Sequence, residues 1–149
     1  MGSGDIADLI DRGHLEKVAP SAANADRLIG EANRHLRSAE LLAGEDPAGA
    51  YDLLYTAARK SMAAALAVQG LRATSAGGHV AVEQAIAAQL GGAGGVVRPF
   101  GRLRRTRNDA DYPRLDTPEL AGEDVTDDLP KARAIVEAMA RLIEHLEPW

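Results

Sequence analysis

The segment from residue 98 to residue 112 concentrates the side chains that could do chemistry. Five arginines lie between Arg98 and Arg107, with no acidic residue among them. A guanidinium group stays charged at neutral pH and offers a planar fork of donors that matches a carboxylate or a phosphate. The segment therefore predicts either a solvated basic surface or a binding site for an anion.

Helical periodicity separates these arginines into two groups. If the segment is helical, each residue turns by about 100°, so Arg98, Arg102 and Arg105 share one face. Phe100 and Leu103 then lie on the opposite face. We expect the three outer arginines to form a solvated face, with the acidic stretch that follows as a counter-charge.

Arg107 lies on the apolar side of this helix, and Arg104 lies at the edge of that side. An arginine on an apolar face needs an acid, an anion or a carbonyl group, because burying its charge alone is costly. One interpretation is an internal salt bridge to Asp109, Asp111 or the last helix. The other is a fork that binds phosphate. The sequence leaves both open.

The spacing of apolar residues predicts an all-α fold. Short loops between long helices favour antiparallel neighbours, and hence an up-and-down four-helix bundle. Ser21 is expected to cap the first long helix, and Gly70 to end the second. The four long helices are predicted over residues 22–42, 47–69, 96–108 and 123–146, with a shorter helix over 79–90 between the second and the penultimate long helix.

The last helix, residues 71–78 and the N-terminal residues each carry a separate prediction. In the last helix the apolar pattern passes through Pro130 without changing register, which favours one bent helix over a helix that starts near Asp127. No stretch alternates with period two, so no strand is expected, and residues 71–78 are predicted to form a turn. Residues 1–20 are predicted to be an N-terminal extension with a short amphipathic helix, packed on the bundle or on a partner. Residues 21–149 are predicted to be the bundle itself.

Composition excludes several kinds of function. The chain has no cysteine, which excludes disulfides, thiolate zinc sites and cysteine nucleophiles. Its histidines are scattered without the spacing of metal ligands, so neither a metal nor another cofactor is expected. The net charge of −5 argues against indiscriminate nucleic-acid binding. No apolar run is long enough to cross a membrane, and we expect a cytoplasmic protein.

One segment resembles a known family. The run Arg107-Asn108-Asp109-Ala110-Asp111-Tyr112 ends the penultimate helix, just before a long acidic final helix. It is similar to the segment at that position in bacterial HEPN (higher eukaryotes and prokaryotes nucleotide-binding) proteins. Residues 55–60 and 69–74 resemble the second helix and the following turn of the same family. The resemblance covers roughly residues 23–146, and it implies the HEPN arrangement of the four-helix bundle.

The resemblance also implies site residues. Many HEPN domains are metal-independent endoribonucleases in which an arginine, a polar residue and a nearby histidine line a cleft between two subunits. Carried over to this chain, Arg107 and Asn108 are the catalytic residues that position the phosphate, and Tyr112 stands where the histidine is expected. Arg104 and Asp111 join Arg107 in the implied phosphate-binding set. Because tyrosine titrates near ~10 and histidine near ~6.5, tyrosine is a poor base at neutral pH.

The implied function is therefore binding rather than rapid cleavage. The resemblance predicts a homodimer that binds RNA or a nucleotide phosphate, in a toxin–antitoxin or defence pair with a nucleotidyltransferase-type antitoxin, and with weak or lost ribonuclease activity. One alternative is a non-catalytic helical adaptor in which the arginines only form salt bridges. Another is a binding partner for a separately encoded nucleotidyltransferase. An open cleft that contains Arg107 and Tyr112 favours the first prediction, whereas sealed internal ion pairs favour the adaptor.

Overall fold

A computed structural model describes residues 2–149 of the chain, with the side chains of residues 4–90 and 94–149. Over this range the chain is mostly helical, as the apolar spacing predicted. None of the helices in it is both long and apolar enough to cross a membrane. The elements are α1 (Gly2–Asp11), β1 (Leu15–Lys17), α2 (Ala22–Leu42), α3 (Pro47–Gln69), β2 (Leu71–Ala73), α4 (Gly78–Leu90), a 3₁₀ helix (Gly91–Val96), α5 (Phe100–Asp111) and α6 (Gly122–Ile143).

Helix α3 lies at the centre of the fold, packed most extensively on α2 and α6. Its many alanines let neighbouring helices approach closely, and the larger Tyr51, Leu54 and Tyr55 are almost fully buried between them. Among the described helices, α3 has the most extensively buried surface. Since α5 and α4 also pack on α3, this helix sets the position of side chains from both.

Local signals define the ends of α2 and α3. The Ser21 hydroxyl accepts a hydrogen bond from the Asn24 N–H at 3.0 Å, so Ser21 caps α2 as predicted. Asp46 caps α3 in the same way through the N–H of Gly49. Gly70 ends α3 in the left-handed conformation, with φ +76°, which a residue without a Cβ adopts at little cost.

Residues 71–73, the first part of the turn predicted over residues 71–78, form one strand of a two-stranded antiparallel ribbon, whereas residues 75–77 do form a turn. Leu15 pairs with Ala73 and Lys17 pairs with Leu71, so β1 and β2 join segments that are far apart in sequence. The prediction of no strand was wrong because three-residue strands are too short to show an alternating pattern. The ribbon also attaches the N-terminal segment to the helices, and Ile6 of α1 lies in the main apolar core with Leu15.

Helix α5 begins and ends later than the sequence predicted. The 3₁₀ helix precedes it, and Pro99, with φ −62°, comes directly before the first residue. The α-helix therefore starts at Phe100 instead of residue 96, and it continues to Asp111 instead of residue 108. As a result, Arg107 and Asp111 lie one helical turn apart on the same helix.

Helix α6 passes through Pro130 without a break. Of the two predicted arrangements, the single continuous helix is confirmed. Its start is fixed by Asp124, whose carboxylate accepts a hydrogen bond from the Ala121 N–H at 2.8 Å. The buried carboxylate of Asp128 accepts a hydrogen bond from Tyr51 at 2.7 Å, which joins α6 to α3, and another at 2.8 Å from Lys131 on α6 itself.

Candidate anion-binding site

Arg107 is held by two carboxylates. Its Nε lies 2.8 Å from Oδ1 of Asp52 on α3 and 3.0 Å from Oδ2 of Asp111 on its own helix. Its Nη1 donates a hydrogen bond to the Asn108 side chain at 3.3 Å. The hydrogen bond to Asp52 is the main cause that raises the pKa of Arg107. The Nε donor of Arg107 is therefore satisfied inside the chain.

The internal partners were only partly predicted. Asp111 was one of the expected carboxylates, whereas Asp109 and the last helix supply none within 4 Å of Arg107 among the described side chains. Asp52 was missed because it lies on another helix. A signal for it exists in the sequence, since Asp52, Tyr55 and Arg59 are spaced by three and four residues and so share one side of α3.

Tyr55 is the centre of the site. Its ring stacks on Phe100 with the centroids 5.2 Å apart, and the Arg107 Cζ lies 5.5 Å from the centre of the Tyr55 ring. Its hydroxyl is hydrogen-bonded to Nδ1 of His79. Burial is the main cause that raises the pKa of Tyr55 to about 12. The phenol therefore keeps its proton at neutral pH and joins α3 to both α4 and α5.

His79 is a site residue that the sequence did not single out. It is the second residue of α4, and burial is the first cause that lowers its pKa, followed by the charges of Arg59, Arg107 and Arg104. The imidazole is therefore neutral at neutral pH. Because Tyr55 keeps its proton, we assign its hydroxyl as the donor to Nδ1, so that Nε2 carries the imidazole hydrogen and is a donor.

Arg59, Arg104 and Arg107 together form what we call the arginine cluster. The charges of all three lower the pKa values of both Tyr55 and His79, so each lies close enough to these two side chains to affect their titration. The Nε of Arg104 is buried without a hydrogen-bond partner. Among the described side chains, no carboxylate lies within 4 Å of the guanidinium groups of Arg59 and Arg104. The cluster thus keeps donors that its own chain does not satisfy.

Glu83 is the acidic group of α4 that faces this cluster. Burial raises the pKa of Glu83, and the charges of Arg104 and Arg105 oppose that shift. Its Oε1 is also buried without a hydrogen-bond partner. A charged donor and a charged acceptor therefore lie near each other without forming a direct bond.

Tyr112 takes a different position from the one implied by the resemblance to a catalytic histidine. It follows the last residue of α5, and its side chain is 78% exposed. In the part of the chain that the structure describes, no hydrogen bond or ring contact joins its side chain to Arg107. Asn108 is exposed as well. Arg104, Arg107 and Asp111 share one side of α5, where Arg107 is paired with Asp111, whereas Tyr112 lies at the surface.

The three outer arginines are exposed as expected, but Arg98 lies in the turn before α5 and not on the helix. Arg98, Arg102 and Arg105 are exposed. Arg102 lies 3.7 Å from the carboxylate of Asp128 on α6. They are therefore suitable controls for the arginine cluster, since they carry the same charge on the same segment.

The described residues contain no group of three or more histidine, aspartate or glutamate side chains that could hold a metal ion. Comparison with known proteins found no matching family model, no matching curated protein and no matching solved structure.

Proposed function

We propose that this chain is a HEPN-type protein that binds the phosphate group of RNA or of a nucleotide at the arginine cluster. The observation that carries the proposal is the buried Nε of Arg104, a charged donor without an acceptor. Leaving such a donor unsatisfied costs about 1–3 kcal/mol or more. A phosphate oxygen at this position would remove that cost, and Arg59 would supply a second charged donor.

The resemblance to HEPN proteins supports the same location. In that family the phosphate binds at the end of the penultimate bundle helix, between two subunits. Here Arg104 and Arg107 lie in the last turns of α5. Tyr112 and Leu115 expose apolar surface just beyond that end. We propose that the chain forms a homodimer on this surface, in a toxin–antitoxin or defence pair whose antitoxin is of the nucleotidyltransferase type.

Binding without rapid cleavage is the activity that the chemistry favours. Burial raises the pKa of Tyr55 to about 12, so its phenol is protonated at neutral pH and cannot serve as a base. His79 is neutral, but its Nδ1 is already bonded to Tyr55. We propose that metal-independent ribonuclease activity is weak or absent, with phosphate binding retained.

A specific observation favours the adaptor as the second candidate. The Nε of Arg107 is bound by both Asp52 and Asp111. If the other donors of Arg104 meet only solvent and no ligand reaches its buried Nε, the cluster only links α5 to α3. In that case the chain would have no affinity for phosphate beyond that of any exposed arginine.

Binding of a fluorescein-labelled single-stranded RNA oligonucleotide tests the proposal, measured by fluorescence anisotropy with EDTA present. Arg104→Gln should weaken binding by about tenfold or more, because a charged hydrogen bond contributes about 1.5–3 kcal/mol. Arg98→Gln is the matched control, since it removes the same charge from an exposed position on the neighbouring turn. Equal, small losses in both variants would show a diffuse basic surface, and no binding by the wild type would favour the adaptor.

Cleavage can be measured on the same samples by gel electrophoresis. The wild type should leave the RNA largely intact. Tyr112→His restores the residue expected at that position and should increase cleavage. Rapid cleavage by the wild type that Tyr112→Phe abolishes would make Tyr112 the catalytic group and contradict the proposed loss of activity.

A further inference from the structure

A cleft of about 720 Å³ opens beside the arginine cluster. Its walls come from α3, β2 and the first residues of α2 and α4. Arg59 and His79 both line it, so the cleft shares Arg59 with the arginine cluster and also contains His79, whose pKa the three arginines lower. The volume is within the range of about 300–1,000 Å³ that is usual for small-molecule sites.

Several residues that line the cleft are polar. Arg59 contributes a positive charge, and His79 contributes an imidazole whose Nδ1 is bonded to Tyr55, which leaves Nε2 as a donor. Ser75 adds an exposed hydroxyl group. The neighbouring Thr74 hydroxyl is already engaged, since it donates to the Gly13 carbonyl. Arg59 and the Nε2 of His79 are therefore both donors, which suits an anion.

The other lining residues are largely aliphatic. Leu28 and Ala63 face the cleft while remaining partly exposed, and Leu66 and Leu71 continue the wall into the buried core. Aromatic side chains other than the His79 ring do not occur in this wall. Covering such apolar surface stabilises a complex by roughly 25 cal/mol per Å² of apolar area removed from water.

We infer that the cleft holds the organic body of a small phosphate monoester whose phosphate group binds at the arginine cluster. The inference rests on the proposed function and narrows its ligand from nucleic acid in general to a small molecule with an apolar body. Arg59 belongs to both the cleft and the arginine cluster, so it would contact the ligand where its phosphate group joins its organic body. The aliphatic wall favours an alkyl-like body over a bare phosphate ion.

The test compares the affinities of n-octyl phosphate and inorganic phosphate by isothermal titration calorimetry. Octyl phosphate should bind at least about 100-fold more tightly, because each buried CH₂ adds a favourable increment. Ala63→Phe should abolish that advantage by filling the cleft. Ala134→Phe is the matched control, since it adds the same ring at an exposed position on α6.

Ser75→Asp provides a second variant at an exposed position, where folding should not be affected. Its carboxylate should weaken the binding of octyl phosphate by repelling the phosphate group. Equal affinity for the two phosphates, or tight octyl phosphate binding that survives Ala63→Phe, would overturn the inference.

Arg104→Gln separates this inference from the proposed function. If it abolishes the binding of inorganic phosphate while octyl phosphate has no advantage in the wild type, the arginine cluster is a phosphate site and the inference about the cleft is wrong. If neither phosphate depends on Arg104, the proposed function is wrong.

Discussion

The Nε of Arg107 lies 2.8 Å from Oδ1 of Asp52, and this ion pair links α5 to α3 beside the Tyr55 ring. The two side chains are 29% and 47% exposed, so water screens their attraction. Pairs of this kind contribute about 0–1 kcal/mol to stability. The pair therefore orients Arg107 more than it stabilises the fold, and Asp52 competes with any phosphate for the same guanidinium group.

Removing that competition should strengthen phosphate binding. Asp52→Asn should tighten RNA binding several-fold and change the free energy of unfolding by no more than about 1 kcal/mol. Asp109→Asn is the matched control, because it removes one negative charge from an exposed position close to Arg107. Anisotropy titrations of both variants measure the effect. Weaker binding in Asp52→Asn alone would show that Asp52 positions Arg107 for the ligand.

The lowered pKa of His79 predicts a loss of stability in acid. In the unfolded chain histidine titrates near 6.5, whereas in the folded chain burial and three arginines lower its pKa. At pH values well above 6.5 the imidazole is neutral in both the folded and the unfolded chain. As the pH falls below 6.5, the unfolded chain binds the proton first, so the free energy of unfolding decreases until the folded pKa is passed.

Urea unfolding at about pH 7.5 and about pH 5.5 measures this effect. The wild type should lose more stability between the two values than His79→Gln does. His35, whose pKa burial also lowers, contributes in the same direction in both proteins and so cancels in the comparison. Equal losses would mean that His79 takes up its proton as readily in the folded state as in the unfolded one.

A charged residue in place of Leu54 should strongly destabilise the fold. This side chain is fully buried on α3, and an unpaired carboxylate there should cost several kcal/mol, which is comparable with the total stability of about 5–15 kcal/mol. Leu54→Asp should therefore abolish cooperative thermal unfolding monitored by circular dichroism. Leu41→Asp is the control, because Leu41 is 83% exposed on α2 and should tolerate the change.

The proposed homodimer predicts a concentration-dependent mass. Analytical ultracentrifugation should show dimer in the micromolar range, and Leu115→Asp should shift the equilibrium towards monomer, because Leu115 is fully exposed beyond the end of α5. Leu41→Asp again serves as the control, with the same substitution at a distant exposed leucine. A wild type that stays monomeric at high micromolar concentration would contradict the dimer.

Sequence predicted the long helices well because their signals are local. The cap at Ser21 and the glycine at residue 70 each act within a few residues of the helix end they define. The ribbon between β1 and β2 could not be found this way, since its strands are short and pair across a long stretch of chain.

The site was predicted only where it lies on one helix. Arg107 and Asp111 are one turn apart on α5, so periodicity brings them together. Asp52 and His79 reach Arg107 and Tyr55 only through the packing of α3 against α5 and α4. That packing depends on tertiary contacts which spacing along a single helix does not contain.

The guanidinium Nε–Hε signals of the arginine cluster test the central claim most directly. They can be followed by ¹⁵N–¹H NMR while adenosine monophosphate is added. The Arg104 signal should move most, because its buried Nε gains an acceptor, and the signal of exposed Arg98 should stay in place. A uniform small drift of both signals, or no change at Arg104 at saturating nucleotide, would contradict a phosphate site at the arginine cluster.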